Sequence, residues 1–239
     1  RRLQDGDAGG HLRRAMAAFP LPGVAADALR RYYLPGGRPA ATAYRTLPMY
    51  RVGAPRARES ITVLASFVEV WLAREGHAGP VGVNLLTKVQ LPNLAALYGA
   101  MLAGAAVVLM GAGIPRDIPA ALDAFAEGRP ASLRLDVEGL SDGRDVRARF
   151  DPADHFGPPP ALARPAFLAI VASNSLATML ARKASGRVDG FVIEGPTAGG
   201  HNAPPRGAAP LNARGEPVYG ERDVVDLDKL RELGLPFWL

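Results

Sequence analysis

Residues 190–207, which read GFVIEGPTAGGHNAPPRG, contain the pattern that decides the fold. A short apolar run ends at Glu194 and leads into a glycine-rich turn, and two glycines stand directly before His201. A backbone without side chains lets a flat or phosphorylated ligand lie against it, and an imidazole there can exchange a proton with that ligand. We interpret the stretch as a strand followed by a candidate binding loop, while noting that a loop histidine beside glycines also arises without any function.

The same strand-and-loop unit recurs along the chain. Apolar runs that end in polar residues or glycine alternate with helical patterns, which predicts a parallel sheet in the α/β class. Because every unit is a strand followed by a helix, we predict a (β/α)₈ TIM barrel. Fewer strands than the eight of a barrel are found, so we expect the barrel to be incomplete in this chain, with its first and last strands missing. The apolar runs lie at 81–86, 105–110 and 166–172, and the helical patterns at 91–103, 118–126 and 175–184. The run at 81–86 is apolar on both faces, so we expect a strand buried on both sides, and we predict that Asn174 caps the helix at 175–184.

One segment interrupts this alternation. Residues 132–137 and 146–150 alternate polar and apolar side chains on either side of a turn at 141–143. Such a pattern predicts an antiparallel hairpin. We expect it to be inserted between units of the barrel, near residues 132–150.

The two ends of the chain differ in composition. Residues 1–56 are rich in Gly, Pro and Arg and hold two short helical patches, so we predict an N-terminal helical or irregular segment there. Residues 57–239 are predicted to form the partial barrel. An amphipathic pattern at 58–75 predicts a helix that packs on a sheet, and a pattern at 225–233 predicts a helix before the last apolar run.

Composition limits the classes of function. The chain has 239 residues and a net charge of +5, with basic residues scattered in pairs, so no nucleic-acid partner is expected. It contains no cysteine, which excludes disulfides and thiolate metal sites. No apolar run is long enough to span a membrane and no metal-ligand spacing occurs, so we predict no membrane partner and no metal. We expect a cytoplasmic protein with a small-molecule substrate and leave a homo-oligomer open.

Candidate site residues stand where the predicted strands end. In a barrel of parallel strands these carboxyl ends form one rim, where active sites are assembled. A carboxylate such as Glu194 at the end of an apolar strand must find hydrogen-bond donors, which a ligand can supply. The alternative is that strand ends are simply where turns begin, and we expect His11, His77 and His155 to be structural. The residues at the predicted ends are Asn84, Gly111, Gly113, Ser173, Asn174 and Glu194.

Three stretches resemble a known family. EGPTAGGH at 194–201 resembles the Ala-Gly-Gly-His signature of the nitronate monooxygenases, formerly called 2-nitropropane dioxygenases. VGVNLL at 81–86 and VVLMGAG at 107–113 are similar to that family's Asn-bearing strand and to the strand that follows it. The resemblance covers residues 81–239.

The resemblance implies a TIM barrel that binds FMN. It implies that His201 is the catalytic residue, lying over the flavin as a base or as a hydrogen-bond donor to substrate. Glu194 stands where the family often has glutamine. The phosphate of FMN would be held by glycine-rich segments expected after residue 239, so we expect this chain by itself to be inactive. The residues implied to contact FMN are Asn84, Ser173, Asn174, Glu194, Ala198, Gly199 and Gly200.

The implied activity is the oxidation of alkyl nitronates by molecular oxygen. An FMN-dependent enoyl-thioester reductase that uses NAD(P)H resembles the same barrel, and the basic loop with Arg206, Arg214 and Arg222 would favour its phosphorylated carrier. A barrel fragment without catalytic activity, which binds partners through its proline-rich ends, is the third alternative.

Overall fold

The computed structural model describes residues 1–140, 144–196, 198, 203–207 and 210–239. The chain divides into two compact units. The first unit comprises Arg1–Val83, Gln90–Ala106 and Ala121–Pro165, and the second comprises Asn84–Val89, Val107–Ala120 and Ala166–Leu239. The domain boundary near residue 56 stays a prediction.

Helices and strands alternate over most of the chain. The strands are β1 (Gly82–Leu86), β2 (Val107–Gly111), β3 (Ala131–Arg134), β4 (Arg147–Phe150), β5 (Ala166–Val171), β6 (Gly190–Ile193) and β7 (Phe237–Trp238). The helices are α1 (His11–Ala17), α2 (Pro22–Tyr32), α3 (Arg56–Ala73), α4 (Asn93–Leu102), α5 (Ile118–Ala126), α6 (Pro152–Phe156), α7 (Asn174–Lys183) and α8 (Leu227–Arg231).

A parallel sheet of five strands confirms the predicted α/β class. Its spatial order is β1-β2-β5-β6-β7, so the strands follow one another in chain order once the hairpin is left out. Strand β5 is central, with Leu168 paired to Leu109 of β2 and Ile170 paired to Val192 of β6. Alternate residues on one face of the sheet are fully buried, as period-two burial requires. They include Val108, Met110, Phe167, Ala169 and Phe191.

The expectation that the first apolar run is buried on both sides is wrong. In β1, exposed and half-buried residues alternate, and Leu86 keeps 43% of its surface exposed. The strand lies at the edge of the sheet. An apolar sequence indicates that a strand can be buried, whereas its position among the layers decides whether it is.

The core of the first unit is formed by helices α3 and α4. Tyr98 of α4 is fully buried and its ring lies 5.2 Å from that of Phe125, 5.4 Å from that of Phe150 and 5.3 Å from that of Phe156. Burial raises the pKa of Tyr98 to about 12. The strongest packing of α3 is against α4, with further contacts to α1, α2 and α6. The prediction that this helix packs on a sheet is therefore wrong, because an apolar stripe shows that a face is buried without showing what covers it.

The predicted hairpin is confirmed. Strands β3 and β4 pair antiparallel, with Ala131 opposite Phe150 and Arg134 opposite Arg147. The turn predicted at residues 141–143 lies outside the described residues. Helix α6, which the sequence patterns did not predict, begins directly after β4: Asp151 caps it by accepting the N–H of Ala153 at 3.0 Å.

Within residues 1–140, 144–196, 198, 203–207 and 210–239, no helix is both long and apolar enough to cross a membrane.

Candidate functional site

The carboxyl ends of β5 and β6 lie side by side in the second unit. The backbone N–H of Glu194 donates to the carbonyl of Val171 at 2.9 Å, which extends the ladder of the two strands by one bond. A cleft of about 180 Å³ opens at this edge. It is lined by Ala172, Ser173, Leu176, Glu194, Gly195, Pro196, Ala203, Pro204, Arg206, Tyr219 and Asp223. Two predicted site residues, Ser173 and Glu194, are thus brought together.

The loop that contains Arg206 and Tyr219 is held at the end of β5 by hydrogen bonds between side chains and backbone. The Arg206 guanidinium donates to the carbonyl of Ala172 at 3.1 Å, and the Arg206 N–H donates to the Asp223 carboxylate at 2.8 Å. Tyr219 donates through its hydroxyl to the carbonyl of Ala203 at 3.0 Å. These bonds place one guanidinium, one phenol and one carboxylate in the wall of the cleft.

The Asp223 carboxylate is held in its charged form. Two backbone N–H groups donate to this carboxylate and hold the pKa of Asp223 below its ordinary value. The bond from Gly220 has the larger effect and the bond from Arg206 the next largest. Asp223 and Tyr219 were not among the predicted site residues. No signal in the sequence identifies them, because a polar loop has no hydrophobic period that fixes which side chains face inward.

Ser173 and Asn174 have different roles at the start of α7. Ser173 is the N-cap, since its Oγ accepts the N–H of Leu176 at 3.2 Å, so the predicted cap at Asn174 is wrong by one residue. The Asn174 amide donates to the carbonyl of Asp226 at 2.7 Å and accepts the Asp226 N–H at 2.9 Å. Asn174 therefore ties α7 to the start of α8 and does not line the cleft.

The carboxyl ends of β1 and β2 carry a second group of polar atoms. Asn84 is the third of five residues in β1 and is exposed, so it lies within the strand and not at its end. After β1, the N–H of Thr87 donates to the carbonyl of Gly111 at 2.9 Å, and Ala112 takes a positive φ of 51°. The hydroxyl oxygen of Thr87 is buried and has no hydrogen-bond partner among the described residues. A buried hydroxyl without a partner is uncommon, and at this rim it can serve a ligand.

Most of the glycine-rich loop that follows β6 lies outside the described residues. This holds for Gly199, Gly200 and His201, so their predicted roles stay predictions. Ala198 is described and exposed, and its N–H donates to the carbonyl of Gly195 at 3.0 Å. A Cβ atom built on Gly195 would meet no described atom within 4 Å, so crowding by the described residues does not explain a glycine there.

Comparisons with protein-family models, with curated proteins and with solved structures found no match for the chain. In the part of the chain that the structure describes, no group of three or more His, Asp or Glu side chains is placed to hold a metal ion.

Proposed function

We propose that the protein is an FMN-dependent oxidoreductase, similar to the nitronate monooxygenases, that oxidises alkyl nitronates with molecular oxygen. The observation that carries the proposal is the cleft at the carboxyl ends of β5 and β6, which joins Ser173, Glu194 and the Arg206 guanidinium at one rim. In open and closed parallel sheets alike, ligands bind at this edge.

The strand order supports a barrel as the parent architecture. In doubly wound sheets the order of strands reverses at the point where the ligand binds. Here the order is β1-β2-β5-β6-β7, without a reversal, which is the order of consecutive strands in a (β/α)₈ barrel. This order supports our proposal that the sheet belongs to a TIM barrel.

Three features of the rim fit a flavin. No described atom lies within 4 Å of a Cβ built on Gly195, which leaves room for a flat ring among the described residues, and Thr87 offers a buried hydroxyl without a partner among them. The Arg206 guanidinium and the Ser173 hydroxyl can donate to the oxygen atoms of such a ring. The cleft volume of about 180 Å³ suits the ring portion, since sites for whole drug-sized ligands span roughly 300–1,000 Å³. When bound, the flavin would supply electron transfer and oxygen activation.

The chain's own residues would bind and orient the substrate. A nitronate carries a negative charge on its nitro oxygens, and the fixed guanidinium of Arg206 can pair with that charge. His201, which follows the glycines, would accept the proton released from the carbon next to a nitro group and leave the nitronate anion, since imidazole titrates near neutral pH. The backbone of Ala198, Gly199 and Gly200 would lie along the cofactor, and Glu194 would contact it.

A second function, enoyl-thioester reduction with NAD(P)H, is favoured by one observation. The Arg206 guanidinium at the cleft would also pair with the phosphate of a carrier. Arg214 does not line the cleft. The reductase alternative therefore depends on Arg206 more than on the rest of the basic loop.

Anaerobic stopped-flow spectroscopy of the full-length protein separates these functions. We expect flavin absorbance in the purified protein and rapid bleaching on mixing with a nitronate, with slow bleaching by NAD(P)H. Faster reduction by NAD(P)H would support the reductase, and a protein without flavin absorbance would contradict both enzymes and support the non-catalytic alternative.

Two variants test the residue roles. We expect His201→Ala to retain flavin and to lose turnover, and unchanged turnover would refute its role. Arg206→Gln, which removes the positive charge but keeps the backbone N–H that bonds to Asp223, should raise KM for the nitronate about tenfold through the loss of a charge-assisted bond. Arg214→Gln is the matched control, because this arginine lies in the same loop but outside the cleft.

A further inference from the structure

A separate cavity of about 240 Å³ lies within the first unit. It is bounded by the segment before α3, by the start of α4 and by β4. Its volume equals that of about eight liquid waters, which is room for a single ring with one attached group. The lining residues that matter here are Arg51, Glu59, Leu94, Ala95, Arg149 and Phe150.

The floor of this cavity is apolar and firmly packed. Leu94, Ala95 and Phe150 each expose 2% of their surface. Phe150 is also stacked on the His155 ring, with centroids 4.8 Å apart and planes at 12°. A floor of this kind favours the apolar body of a ligand over water alone.

Arginines line the mouth of the cavity. They are Arg51, Arg147 and Arg149, and the one acidic residue in the lining is Glu59. Arg147 is paired with Asp145 at 2.8 Å, so Arg51 and Arg149 are the arginines considered for an anion. Arg149 donates to Asp151 through one nitrogen at 2.8 Å, and a guanidinium has five N–H donors in all. Arg51 is exposed and has no ion-pair partner among the described residues. Donors therefore remain for an anion at this mouth.

Glu59, the acidic residue in the cavity wall, is held in position by contacts with His155 and, through it, Ser60. The Glu59 carboxylate lies 3.2 Å from His155 Nε2, and His155 Nδ1 lies 2.9 Å from the hydroxyl oxygen of Ser60. These are the residue types of a hydrolytic triad, but Ser60 exposes only 8% of its surface and does not line the cavity. The network therefore fixes the position of Glu59 and does not present a nucleophile.

We propose that this cavity binds a small organic anion, with an aromatic or branched apolar body on the floor and a carboxylate or phosphate group at the arginines. Arg51 and Arg149 bind the charged group, and Leu94, Ala95 and Phe150 contact the apolar body. The site belongs to the first unit and does not depend on the function proposed for the second.

Isothermal titration calorimetry tests this site with four probes of similar size. Phenyl phosphate and benzoate carry the charge, benzyl alcohol is neutral, and benzylamine is a cation. We expect the two anions to bind at least tenfold more tightly than the alcohol, with no binding of the amine, and the stronger anion shows whether the natural group is a phosphate or a carboxylate. Equal binding of anions and alcohol would overturn the proposal.

Two arginine variants locate the binding. Arg149→Gln and Arg51→Gln should each weaken phenyl phosphate binding about tenfold, because each removes charge-assisted hydrogen bonds. Arg129→Gln is the matched control: Arg129 also pairs with a carboxylate two residues away, Glu127, and does not line the cavity. Equal affinities in Arg149→Gln and Arg129→Gln, with unchanged thermal midpoints, would place any binding elsewhere and refute the site.

Discussion

The contact between α3 and α4 makes a sharp prediction for Gly99→Ala. Gly99 lies in the interior of α4, where a Cβ atom would come 2.3 Å from the carbonyl oxygen of Val63 and 3.0 Å from Cβ of Ser66. The atom in the way belongs to the backbone of α3 and cannot rotate aside. The two helices must therefore move apart to accommodate one methyl group.

Two destabilising contributions and one stabilising contribution determine the change in the free energy of unfolding. Overpacking of a core costs about 1–3 kcal/mol, and a clash with backbone belongs at the upper end. The Ser66 hydroxyl donates to the carbonyl of Ala96 at 2.6 Å. Separation of the helices weakens this hydrogen bond, which lowers the free energy of unfolding by about 1 kcal/mol more. Alanine regains about 1 kcal/mol as a better helix former than glycine. We therefore expect Gly99→Ala to lower the free energy of unfolding by about 3 kcal/mol.

Gly23→Ala is the matched control. Gly23 lies in α2, and a Cβ atom there would meet nothing within 4 Å. The same chemical change should raise the free energy of unfolding by about 0.5 kcal/mol, because only the helix preference remains. Urea denaturation followed by circular dichroism measures both variants. Effects of the same sign, or a Gly99→Ala variant as stable as the parent protein, would refute the close approach of α3 and α4.

Three further predictions concern stability. Burial would raise the pKa of Asp7, but bonds from the N–H groups of Leu12 and Arg13 outweigh it and hold that pKa below the ordinary value. A lowered folded pKa means that the stabilisation is complete above the unfolded pKa of about 3.9 and is lost as pH falls through the folded pKa. Asp7→Asn should therefore flatten the loss of unfolding free energy in acid titrations below about pH 4, and an unchanged profile would contradict this. Ser173→Ala should cost about 1 kcal/mol in urea denaturation through loss of the α7 cap, whereas an unaltered midpoint would show that the cap contributes nothing. Leu180→Ala should cost about 2–5 kcal/mol, since Leu180 is fully buried, and a loss near zero in the same assay would show that the site is not packed.

Local patterns predicted most of the helices and strands. The run at residues 118–126 predicted a helix with the same bounds as α5, because its apolar period repeats within a few turns. Helix α6 was missed although Asp151 and Pro152 are a capping residue and a first-turn proline. A helix of one turn has too few residues for a period to show, so its existence depends on the aromatic rings that pack on it.

The candidate site was predicted only in part. Ser173 and Glu194 were placed at one rim because both follow apolar runs, and the structure brings them to one cleft. Asn174 was expected at the same rim, but its amide is bonded to the backbone of Asp226, which stands 52 residues later in the chain. A partner at that distance leaves no trace in the local pattern.

The sequence by itself determined the α/β class, the hairpin and the position of Ser173 and Glu194 at one edge of the sheet, because hydrophobic period and glycine turns act over a few residues. Only the tertiary structure decided the exposure of β1, the packing of α3 against α4 and the hydrogen bond from the Arg206 N–H to Asp223. These features depend on which surfaces meet after the chain has folded. Burial and long-range hydrogen bonds are properties of that arrangement and not of any single stretch of residues.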